Sequence, residues 1–170
     1  MAGFRCVRSL LPFVSLVAVA CVRTDSPQSA SSSVVYEYVY PHNTATLNEN
    51  HYIVLDSVAG RLRGWYYGTS DEFDSAREGY TPGFFVAEME NLRFSPDSIA
   101  FTLTRPDAFF MRPVPLQYRS AAELPPGALE PWAIRLPVPS RDYVGTVSPG
   151  QIVIDHEVGR MVFAETMAPR

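Results

Sequence analysis

Short apolar or alternating runs, each closed by a turn signal, fill the chain from Val34 onward. They cover 34–40, 51–56, 61–68, 83–89, 92–94, 99–104, 114–119, 133–138, 143–147, 151–155 and 160–165. In one of them Ile99, Phe101 and Leu103 share a face, and Ala100, Thr102 and Thr104 share the other. That alternation is the mark of a strand buried on one side. The last two runs flank a turn at Glu157-Val158-Gly159 and predict a hairpin. About ten short strands at this spacing predict an all-β fold, either an antiparallel β-barrel or a sandwich.

One helix is expected within this pattern, over 70–78. Thr69 and Glu72 have capping-box spacing, Asp71 and Glu72 complement the helix dipole, and Gly79 supplies a stop. Between Pro106 and Pro139 there are eight prolines in 34 residues. Proline donates no ladder hydrogen bond, so this stretch reads as edge strand and long loop, with a helical turn near 120–124.

Composition narrows the class. The chain has 170 residues, 46% hydrophobic and 19% charged, which fits one globular domain. Every one of its 14 basic side chains is Arg, and they face 18 acids for a net charge of −4. An acidic chain without basic clusters argues against a nucleic-acid partner. Without Lys there is neither a phosphate-cradling Gly-Lys loop nor Schiff-base chemistry. No Gly-x-Ser-x-Gly elbow occurs. His42, His51 and His156 lie far apart, and His156-Glu157 lacks a second His at helical zinc spacing. His51 and His156 read as surface or strand-end residues. No metal site, cofactor or catalytic residue is assigned, and oligomeric state is not legible.

The N-terminus carries an address. Arg5 and Arg8 precede an apolar run from Ser9 to Val22, which is too short to span a bilayer. Val17-Ala18-Val19-Ala20-Cys21 resembles the lipobox of bacterial lipoproteins. It departs from that pattern at Ala18, where Leu is commonest. The resemblance implies a signal peptide over 1–20, removal before Cys21, and acylation of Cys21. It also implies a cell-envelope location, the outer membrane ahead of the inner because residue 22 is Val. Ala18-x-Ala20 fits ordinary signal cleavage as well, which would leave a secreted or periplasmic protein. Cys6 falls in the removed segment, so the mature chain holds no disulfide. A Ser-rich tether is expected over 21–33, then a single β-rich domain over 34–170.

The densest segment runs from Gly64 to Phe85. Trp65 and Tyr67 point to one face of a strand and Tyr66 to the other, so one face is expected in the core and one free to wall a ligand site. Trp65, Tyr66, Tyr67, Asp71, Asp74 and Tyr80 are the candidate ligand-binding residues. Residues 64–103 resemble a segment that recurs in small secreted or lipid-anchored bacterial proteins with no assigned activity. The overall pattern is also similar to lipocalin-like barrels. Three functions are open. A binding or accessory barrel for a small apolar or glycan ligand predicts a cavity between Trp65, Tyr66 or Tyr67 and the Pro-rich loop. A structural or protein-interaction role predicts a filled barrel with an apolar patch near Phe109-Phe110-Met111. A glycan-acting enzyme predicts two converging carboxylates drawn from Asp71, Glu72, Asp74 and Glu78. The same acids suit a solvated helix start better than a catalytic pair, and a calcium site less well.

Overall fold

The structure, a computed structural model, describes residues 32–46, 48–70, 73–74, 79–80, 83–104, 106, 108–132, 140–156 and 159–167, the side chains of 73, 74, 79, 80 and 156 excepted. The signal peptide, Cys21, Asp71, Glu72, Glu78 and the strand expected at 133–138 lie outside the described residues.

Ten strands are formed among the described residues: β1 Ser32–Tyr38, β2 His51–Val58, β3 Arg61–Thr69, β4 Phe73–Asp74, β5 Gly79–Tyr80, β6 Phe84–Phe94, β7 Ser98–Leu103, β8 Arg141–Ser148, β9 Gln151–His156 and β10 Gly159–Thr166. Eight of them close a barrel in the order β1-β10-β9-β8-β7-β6-β3-β2, with every pairing antiparallel. A barrel removes the exposed edges that an open sheet of these strands would leave. The choice between barrel and sandwich is thereby settled by β1 pairing with β10, Val35 opposite Thr166.

Alternation along each strand builds two cores. Inside the barrel lie Tyr36, Ile53, Leu55, Tyr66, Met89, Ile99, Phe101, Leu103, Ile152, Ile154, Met161 and Phe163. Phe163, Ile53 and Ile152 are wholly shielded from water, each worth roughly 2–3 kcal/mol of burial. The second core lies outside the wall. Val35, Val54, Trp65, Tyr67 and Val86 face outward from β1, β2, β3 and β6 and are covered by Phe110, Val114 and neighbours from the Pro-rich segment. That segment crosses the wall as a strap. It is pinned to β6 by Phe84 N–H to Phe110 O at 2.9 Å and Phe110 N–H to Phe84 O at 2.8 Å, and tied within itself by Trp132 N–H to Phe109 O at 2.7 Å.

Two sequence expectations need correction. The helix over 70–78 does not form at its centre: Phe73–Asp74 pairs antiparallel with Gly79–Tyr80. Thr69 ends β3 with its hydroxyl 3.2 Å from His51 Nε2, so that group is engaged away from the cap position. Ser70 N–H donates to Gly83 O at 2.7 Å, extending the β3–β6 ladder where the helix would begin. A two-turn helix starting here gains too little to offset nucleation, and the backbone of Thr69 and Ser70 is already committed to the strand ladder. The strand expected at 114–119 is also absent, because Pro113 and Pro115 cannot donate to a ladder. The helical turn near 120–124 does form, as a 3-10 turn at Ala121–Glu123. The runs 83–89 and 92–94 merge into β6 through a bulge at Asn91, whose φ is 53°.

The two ends of the barrel differ. At one end the connections are short: Ala59-Gly60, both at positive φ as a two-residue hairpin requires, residues 95–97, and Pro149-Gly150. The longer connections, between β1 and β2, β3 and β6, and β7 and β8, leave from and return to the opposite end, the last of them crossing the outer wall on its way.

Candidate functional site

β3 contributes both faces to the interior of the molecule. Trp65, Tyr66 and Tyr67 are 4%, 4% and 3% exposed. Tyr66 faces the barrel core, and Trp65 and Tyr67 face the strap. The sequence pattern leaves one face of this strand free for a ligand; the strap occupies it. The strap is an insertion without periodic pattern, so no sequence signal could place it there. Asp74 and Tyr80 lie in β4 and β5, which pair with each other in a two-stranded sheet separate from the barrel, and Asp71 lies outside the described residues.

Arg119 holds the strap to the wall. Its Nε donates to Asp56 Oδ2 at 2.9 Å and its Nη2 to Asp56 Oδ1 at 3.3 Å, a two-pronged pair in a half-buried setting. Its Nη1 donates to Tyr67 Oη at 3.1 Å and to Leu116 O. Its guanidinium carbon sits 5.1 Å from the Trp65 ring centre, within cation–π range. Tyr67 Oη in turn donates to Tyr118 O at 2.7 Å. Burial pushes the Tyr67 phenol above its ordinary value, against the opposing pull of Arg119. Burial works to lower the Arg119 pKa, but the hydrogen bonds to Asp56 and the contact with Tyr67 outweigh it and the net change is upward.

Beside this clamp the strap and β6 leave a groove of about 320 Å³. Its wall is β6, with Val86, Glu88 and Glu90 on the outward face; its other side is Thr104, Pro106, Arg119, Ser120 and Ala121. The volume is at the lower end of small-molecule sites. Glu88 Oε1 accepts from Arg63 Nε at 3.0 Å and Nη2 at 2.8 Å. Glu90 Oε1 accepts from Thr104 Oγ1 at 2.7 Å. Among the described residues these contacts use one oxygen of each carboxylate, and Oε2 of each is left to accept from a ligand. Residues two apart on one strand face lie about 6.6 Å apart, so one small molecule can meet both. Sequence reasoning missed Glu88 and Glu90. Their only signal was polarity at alternate positions of a strand, which any solvated face shows.

A second polar cluster lies inside the barrel at the long-loop end. His51 opens β2, the strand-end position open to it in the sequence, and is buried there instead of lying at the surface. Its Nδ1 is 2.6 Å from Tyr66 Oη and its Nε2 3.2 Å from Thr69 Oγ1. Tyr38 and Tyr66 meet the imidazole edge-on. This arrangement satisfies a buried imidazole and orders the top of the core. Among the described residues no group of three His, Cys, Asp or Glu side chains is placed to hold a metal.

Comparison with family models, with curated proteins and with solved structures finds no match to this chain. The functional reading therefore stands on sequence and geometry.

Proposed function

We propose that this chain is a cell-envelope lipoprotein, anchored through acylated Cys21, whose barrel is a binding or accessory module for a small glycan. The observation that carries the binding reading is the groove between β6 and the strap. Its chemistry favours a polyhydroxylated ligand over an apolar one. Glu88 and Glu90 accept from sugar hydroxyls, Thr104 and Ser120 add hydroxyl groups, and Val86, Pro106 and Ala121 offer apolar contact to a C–H face. Trp65 and Tyr67 stand beside this wall on the neighbouring strand, opposite Glu88 and Val86. The anchor reading is supported by the lipobox-like Val17-Ala18-Val19-Ala20-Cys21.

Two experiments test the two halves. Titration calorimetry against mono- and disaccharides of bacterial envelopes should show saturable binding. Glu90→Ala should weaken it about 10-fold or more, the loss of one charge-assisted hydrogen bond. Absence of binding by any sugar, or binding indifferent to both Glu88→Ala and Glu90→Ala, would sink the glycan reading. Labelled palmitate should enter wild type and be lost in Cys21→Ala, with the protein released from membranes; no label in wild type means ordinary signal cleavage.

A further inference from the structure

Four large apolar side chains are exposed together at the short-turn end of the barrel. Val58 and Leu62 flank the Ala59-Gly60 turn and are 47% and 43% exposed. Phe94 closes β6 before the 95–97 turn and is 37% exposed. Met167 follows β10 and is 93% exposed. Leu62, Phe94 and Met167 occupy inward register positions, so they ring the mouth of the barrel at this end. Arg61 and Arg93 stand beside them, against Asp97 and Glu165. Among the described residues this end is charge-balanced, in a chain that is −4 as a whole.

The same end is where the chain enters the fold. β1 starts at Ser32, opposite Ser57 and next to the Ala59-Gly60 turn. Eleven residue steps separate Ser32 from Cys21, a span of at most about 36–40 Å. An acylated Cys21 therefore holds this end within about 40 Å of the bilayer and makes it the end nearest the anchor along the chain.

We propose that the short-turn end is a membrane-docking surface, on which the barrel sits against the lipid that holds Cys21, with Val58, Leu62, Phe94 and Met167 at the headgroup–acyl boundary. This rests on the anchor reading above. Apolar side chains at interfacial depth with Arg reaching to headgroups is the arrangement of peripheral membrane contacts. Once seated, the barrel presents its long-loop end away from the lipid and the strap groove along its flank, open to the surrounding phase.

The test uses the full-length protein in vesicles containing nitroxide-labelled lipid. An environment-sensitive thiol probe is placed at Met167→Cys and Leu62→Cys, with Val39→Cys at the long-loop end and Val144→Cys on the outer wall as references. All four side chains are exposed, so labelling leaves the core intact. Quenching at Met167→Cys and Leu62→Cys at least about threefold above the references is expected. Wild type that is membrane-bound and takes no thiol label, alongside probes that are all equally unquenched, overturns the docking and leaves the anchor standing. Wild type that stays in solution and labels at Cys21 overturns both.

Discussion

Gly64 has no room for a side chain. It lies on the inner face of β3, and a Cβ there would stand 2.6 Å from Met89 Sδ, 2.9 Å from Leu92 Cδ2 and 3.2 Å from Leu55 Cδ2. These are ends of flexible side chains, so Gly64→Ala is expected to cost about 1–3 kcal/mol by overpacking, read as a lowered urea midpoint. At Gly145 the obstacle is the backbone carbonyl of Val153, which cannot swing aside, so Gly145→Ala should cost more. A midpoint for Gly64→Ala equal to wild type would mean the barrel core is looser than drawn. In the sequence both glycines fall inside expected strands, 61–68 and 143–147; that they are spaces for neighbours from β6 and β9 depends on register.

At the level of elements the strap matters most. Tyr67 and Trp65 on β3, Asp56 on β2 and Arg119 on the strap form one connected unit. Arg119→Ala removes the cation and leaves Asp56 half-buried without it, at a cost of about 2–4 kcal/mol. The strap should then open locally before the barrel unfolds. Limited chymotrypsin digestion should cut at Phe109, Phe110 or Tyr118 several-fold faster than in wild type. Unchanged cleavage would show that Phe110 and the backbone bridges hold the strap alone. Its proline content was legible as loop, but its partner was not, because irregular backbone carries no period that names the face it covers. The 73–80 hairpin teaches the converse. Its capping-box spacing was real in sequence, yet Thr69 was claimed by β3 and His51.

Across the whole molecule, phenols buried in different places make stability fall in alkali. Burial, then the Glu37 hydrogen bond, pushes Tyr52 up to about 12. Burial also raises Tyr36, with Glu165 adding to it, and Tyr67. A folded pKa above the unfolded one means the folded state holds the proton longer. Stability from these groups is complete below pH 10 and declines as pH rises from 10 toward 12. For Tyr52 the rise from 10 corresponds to about 2.7 kcal/mol, which solvent screening reduces to about 1–2 kcal/mol. Tyr52→Phe should flatten the alkaline limb of a urea-midpoint profile by that amount; an unchanged limb would show that Glu37 does not hold this phenol.

The sequence by itself determined strand content, most strand boundaries and the antiparallel hairpins, because alternation and turn chemistry are local. It showed that Trp65 and Tyr67 share one face and Tyr66 the other. Tertiary structure decided the rest. Closure needs β1 to meet β10 across the length of the domain, and alternation is identical in a barrel and a sandwich. Whether the Trp65 face is open to a ligand depends on what crosses it, and the Pro-rich strap crosses it. The groove beside Glu88 and Glu90 lies between β6 and the part of the strap that Arg119 holds to Asp56, a contact between residues 63 positions apart.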